Sequence, residues 1–123
     1  MRTCIQSKLN ELTDIESGDL LPDGMIENGI TYFGYSLQEN YVKRNQDKKN
    51  VKRISLIGFL IRKNNPTENT VEILDGCSTN LLNKLSELNF KLDLKDIDMS
   101  NDIRKKQITG YVYLNETNNE LVF

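Results

Sequence analysis

No histidine occurs anywhere in this sequence, and that absence narrows the chemistry first. General acid–base work near neutral pH most often uses histidine. Serine–histidine and cysteine–histidine nucleophiles are excluded on the same ground. The two cysteines, Cys4 and Cys77, supply at most two soft ligands, short of a four-ligand zinc site. A glycine-rich phosphate cradle is also missing; Gly34, Gly58 and Gly110 stand singly in strand-like stretches, where bulges or close packing explain them. These absences predict a protein that is not an enzyme and has no catalytic, metal or cofactor-binding residues.

Long apolar runs are missing too. The most apolar segment, Ile54 to Ile61, is strand-sized and cannot cross a bilayer as a helix, so no membrane role is expected. The opening "MRTCIQSKLNEL" has polar residues every second or third position and lacks the apolar centre of a signal peptide. In such an intracellular protein the cysteines are expected to be reduced and buried.

Acidic residues are plentiful but unpatterned. Pairs such as Asp14/Glu16 and Asp96/Asp98 are expected by chance among 18 acids and read as solvated faces. The segment "DIDMSNDIRKKQ" places Asp96, Asp98, Ser100 and Asp102 at four ligand positions of a calcium loop. Asn101 replaces the turn glycine and Gln107 the bidentate glutamate, so an acidic loop or a single helical turn between strands is the better reading.

What is present fits a single α+β domain spanning residues 1–123, with 37% hydrophobic and 28% charged residues. Ile5, Leu9, Leu12 and Ile15 form one stripe of a short N-terminal helix across Arg2–Ile15, with Gly18 as its stop. Pro22-Asp23-Gly24 and Asn28-Gly29 are turn signals. From Ile30 to Leu37 the period becomes two and aromatics are dense, as in a strand. Arg53–Arg62 is apolar on both faces, which predicts a central strand. After Pro66, the apolar positions Val71, Leu74, Cys77 or Ser78, Leu81, Leu85 and Leu88 predict the main helix. Asn69 and Glu72 resemble a capping box, and Asn89 is a stop. Gly76 leaves open a helix that starts only near Ser78, with residues 70–77 helix or strand. Phe90–Lys95, Ile108–Leu114 and Leu121–Phe123 read as three closing strands. The expected architecture has two layers: a mostly antiparallel sheet with a long projecting β-hairpin, one main helix packed on one face, and a short N-terminal helix.

Between the first two long strands lies "YVKRNQDKKNVKR", a solvated hairpin tip in a chain of net charge -2. Its six cations, Lys43, Arg44, Lys48, Lys49, Lys52 and Arg53, are the candidate contact residues for a protein partner or for DNA. Each can meet a phosphate. The aromatic residues, however, lie mostly before the tip rather than among the cations, and the pI is about 5.2. A solvated or protein-contacting surface is therefore favoured over a DNA grip.

The order of the segments "CIQSKLNEL", "ITYFGYSL"/"RISLIGFLIRKN", "TVEILDGCSTNLLNKLSELNF" and "ITGYVYLNETNNELVF" resembles that of the tail-terminator, or tail-completion, proteins of long-tailed bacteriophages. The resemblance implies a virion protein at the tail–head junction, made in the host cytoplasm. It implies a homo-oligomeric ring, typically a hexamer, that caps the tail tube protein and meets the head connector, with non-specific contact to passing DNA. Rival readings are a small phage- or plasmid-encoded inhibitor and a nucleic-acid-binding accessory protein acting through the basic tip.

Overall fold

In the computed structural model, residues 2–43, 50–97 and 102–115 are described. The elements run α1 (Arg2–Leu9), β1 (Glu16–Gly18), a 3-10 turn (Asp23–Met25), β2 (Thr31–Lys43), β3 (Asn50–Lys63), α2 (Thr70–Ser86), β4 (Lys91–Asp96) and β5 (Ile103–Asn115). The five strands form one sheet in the order β1-β2-β3-β5-β4. Only β1 and β2 pair in parallel; the other neighbours are antiparallel. The chain is thus an α+β domain with a mostly antiparallel sheet.

The doubly apolar strand is central, as its composition predicts. Strand β3 pairs with β2 from Thr31↔Arg62 to Lys43↔Asn50, and with β5 from Lys63↔Ile103 to Val51↔Asn115. Alternation along the strand sends Ile54, Leu56 and Leu60 to the helical side, where each is at most 2% exposed. Phe33, Tyr35, Ile108 and Val112 join them from the neighbouring strands, with Ile5 and Leu9 of α1 and Leu74, Leu81 and Leu85 of α2 above. Because β5 lies between them, β3 and β4 run parallel, and α2 makes the crossover that such strands require.

Helix α2 begins where the capping signal lies. The Asn69 side chain accepts from the Glu72 backbone N–H at 3.2 Å, and its amide donates to the Glu72 carboxylate at 3.3 Å. Residues 70–77 are therefore helix, Gly76 included. The last turn closes on Asn89, whose φ of 66° is the left-handed conformation asparagine tolerates.

Four expectations need correction. Helix α1 ends at Leu9 rather than reaching Ile15. The chain leaves it through a tightened turn in which the Glu11 N–H donates to Lys8 and the Leu12 N–H to Leu9, although Leu12 and Ile15 still pack on the core. Gly18 is a strand residue, not a helix stop; a Cβ there would lie 2.9 Å from the Tyr32 hydroxyl. Cys4 is exposed, since it sits one residue off the Ile5–Leu9 stripe, whereas Cys77 is buried; both are free. Strand β5 begins at Ile103, five residues before the expected start, because all of Ile103–Gln107 pairs with β3. That pairing also puts Gln107 in a ladder opposite Phe59 and Lys95. The expected strand Leu121–Phe123 lies outside the described residues.

Two glycines should respond to alanine with opposite signs. A Cβ at Gly76 meets nothing within 4 Å, so Gly76→Ala should stabilise the fold by up to about 1 kcal/mol. A Cβ at Gly58 would come within 2.5 Å of the Phe33 ring, so Gly58→Ala should destabilise by roughly 1–3 kcal/mol. Denaturant unfolding of both variants measures this; equal effects would contradict the packing.

Candidate functional site

The six cations of the basic stretch do not share one surface. The strands run further into it than the sequence suggested, with Lys43 and Asn50 as the last pair. Arg44, Lys48 and Lys49 lie outside the described residues, while Lys43 ends β2. Lys52 and Arg53 belong to β3, and as neighbours in a strand they point to opposite faces. Lys52, its side chain 15% exposed, sits 3.8 Å from Glu39 on the helical side. Arg53 emerges on the other side, its guanidinium carbon 4.8 Å from the Tyr111 ring centroid and 6.0 Å from that of Tyr113.

Among the described residues, that second face carries no helix. Alternation from Arg53 through Ser55, Ile57, Phe59 and Ile61 places these side chains on it, beside Lys105, Gln107, Thr109, Tyr111 and Tyr113 of β5. Ile57 is 39% exposed, and Phe59, Tyr111 and Tyr113 are half-buried. The rings are covered by cationic side chains rather than by a second layer. Lys105 Nζ lies 4.7 Å from the Phe59 centroid, and Lys91 Nζ 5.9 Å from that of Tyr111. The Tyr111 and Tyr113 rings meet edge to face at 5.6 Å. One corner of this face is roofed by the chain before β2. The Tyr32 hydroxyl donates to the Asp19 carbonyl at 2.6 Å, and a Cβ at Gly34 would lie 3.1 Å from the Asp19 oxygen and Leu20 Cα.

Cations and aromatics are therefore interleaved by the fold although they are not interleaved in the sequence. The signal was present in "QITGYVYL", where Gln107, Thr109, Tyr111 and Tyr113 alternate with Ile108, Gly110, Val112 and Leu114. What the sequence could not supply was the register that sets Arg53 opposite Tyr113 and brings Lys91 opposite Tyr111.

The helical side treats its cations differently. Lys106 Nζ donates to Asp75 and Asp96, each at 2.8 Å. Burial acts to lower its pKa, but the two carboxylates outweigh that and hold it above the usual lysine value. Arg62 donates through Nε and Nη2 to the two Glu68 carboxylate oxygens at 2.9 Å, and through Nη1 to Thr31 at 2.8 Å. Hydrogen bonding to Glu68 raises the Arg62 pKa, and bonding to Arg62 holds the Glu68 carboxyl below its usual range.

A cleft of about 570 Å³ opens beside this pair, lined in part by Asp14, Glu16, Thr31, Arg62, Glu72 and Cys77. Burial pushes the Cys77 thiol up, which disfavours the nucleophilic thiolate. Arg62 is already committed to Glu68 and Thr31. Neither group is poised for chemistry in the cleft. Among the described residues no cluster of three or more potential metal ligands occurs, and no helix is long and apolar enough to cross a membrane.

The fold thus defines a two-layer α+β domain with one helix-free, cation-bearing sheet face. In comparisons with known proteins, the chain matches no family model and no curated protein.

Glu68 gives a pH test of the cleft's ion pair. A depressed carboxyl pKa stabilises the fold above the ordinary value of 4.5 and loses that contribution as pH falls through the folded-state pKa. Glu68→Gln should lower Tm at neutral pH, and its deficit relative to the parent should shrink below pH 4.5. A deficit independent of pH would contradict the assignment.

Proposed function

We propose that this chain is a non-enzymatic structural subunit that closes into a ring, acting as a tail terminator between a phage tail tube and the head connector. The observation that best supports this reading is that, among the described residues, the sheet is open at both edges. Strand β1 pairs only with Tyr32–Gly34, and among the described residues no strand borders β2 beyond that point. Strand β4 likewise has no described neighbour on its outer side. Open edges carry rows of unpaired N–H and C=O groups that template pairing with another chain.

The two edges differ in character. The β2 edge is long and carries only Glu39 and the terminal Lys43 as charges, with Gln38, Asn40 and Tyr41 exposed. The β4 edge, "KLDLKD", is short and charged. Joining unlike edges head to tail is a heterologous contact, which makes a ring when the rotation closes. The distal ribbon suits the same role. Strand β4 stops opposite Tyr111, so the last four residues of β5 run on beside β3 without it. In this reading the hairpin faces a neighbouring subunit or the connector, and its cations meet the acidic Asp93–Asp102 segment of the next copy.

Two measurements test the proposal. In virions that contain the protein, a gold-labelled antibody against it should mark the tail–head junction; label along the tail or on the head would overturn the reading. Reversing Lys48→Glu and Lys49→Glu should weaken ring or connector assembly, measured by native mass and negative-stain imaging. Unchanged assembly would discard the charge pairing between neighbours.

A further inference from the structure

We infer that the helix-free face of the sheet is a platform for single-stranded nucleic acid. Three observations on that face support this partner. The first is charge. Strand alternation assigns Arg53, Lys63, Lys91, Lys95 and Lys105 to it, against Glu16 and Asp93, in a chain whose net charge is -2. The described strands thus give this face five cations against two acids, a balance that complements a phosphate backbone.

The second observation is the distribution of rings. Phe59, Tyr111 and Tyr113 lie among those cations, with Lys105, Arg53 and Lys91 within 6 Å of a ring centroid. Stacking surfaces bordered by cations are what a single strand requires, since every base has a π-face and every linkage a negative charge. A duplex presents its bases edge-on in grooves, so these rings give it nothing to stack against.

The third is polar capacity. Ser36, Ser55, Gln107 and Thr109 occupy the middle of the face and offer donors and acceptors to base edges. Arg53 Nε is buried and has no hydrogen-bond partner among the described residues, although the guanidinium lies over Tyr111. A buried donor of that kind is seldom left unmatched, and a phosphate or base oxygen would satisfy it once the guanidinium lifts from the Tyr111 ring. The inference is independent of ring assembly, because it uses the face of the sheet and not its edges.

Fluorescence anisotropy of the full chain with a labelled oligothymidylate of about 20 nucleotides tests the proposal, alongside a duplex of equal length and anionic lipid vesicles. The single strand should bind best. Tyr111→Leu with Tyr113→Leu should weaken binding roughly tenfold or more. Lys105→Gln should reduce the slope of log affinity against log salt by about 0.7, one phosphate contact on a single strand. Circular dichroism checks folding; if the tyrosine variant does not fold, Lys91→Gln with Lys95→Gln replaces it and should flatten the salt slope by about twice that amount. Absence of single-strand binding at about 50 mM salt would overturn the proposal. So would equal binding of the duplex or the vesicles, or binding lost in Lys48→Gln with Lys49→Gln but unchanged in the face variants.

Discussion

Strand β3 sets the constraint on which the rest of the molecule depends. "ISLIGFLI" is apolar on both faces, so it is stable only in the middle of a sheet with cover above and below. On one side the two helices provide that cover, and Ile54, Leu56 and Leu60 disappear from solvent. On the other side the described residues provide no helix. Ile61 is nevertheless 3% exposed, while Ile57 remains 39% exposed. The shielding of Phe59 comes partly from the Lys105 side chain, whose aliphatic stem can lie on apolar surface while its charge stays wet. A face shielded by lysine and arginine is not a second core.

The two faces also divide the electrostatics. Cations on the helical side are clipped into the fold: Lys106 ties β5 to α2 and β4 through Asp75 and Asp96, and Arg62 ties β3 to Glu68 and to Thr31 of β2. At the α1–α2 contact, Lys84 lies 3.6 Å from Glu11 and 3.5 Å from Glu87. These half-exposed pairs orient the helices more than they stabilise them. On the opposite face the described strands carry Arg53, Lys63, Lys91, Lys95 and Lys105 against Glu16 and Asp93, in a chain that is acidic overall. Net charge alone, which argued against nucleic acid, does not describe such a surface.

Much of the fold was legible because its local rules agree. The Asn69/Glu72 signal marked the start of α2, the leucine spacing marked its buried stripe, and the two-faced run in β3 marked the sheet's centre. Departures arose where a tertiary partner decided the outcome. The stretch "IESGDL" could not announce a parallel pairing of Glu16–Gly18 with Tyr32–Gly34, because three residues carry no period. The first half of β5, "IRKKQ", is polar and reads as loop, yet β3 supplies a ladder for it. The candidate site was the least legible part. The basic stretch looked like one patch, but alternation splits Lys52 from Arg53, and the aromatic partners of Arg53 lie some 60 residues away in the chain.

Hydroxyl-radical footprinting of the intact protein tests most directly whether the sheet has one dry face and one wet face. Tyr111, Tyr113 and Phe59 should be oxidised much faster than Phe33 and Tyr35, which are 0% and 1% exposed beneath the helices. Equal protection of the two groups would mean that the β3 face opposite the helices is covered, and would contradict the account.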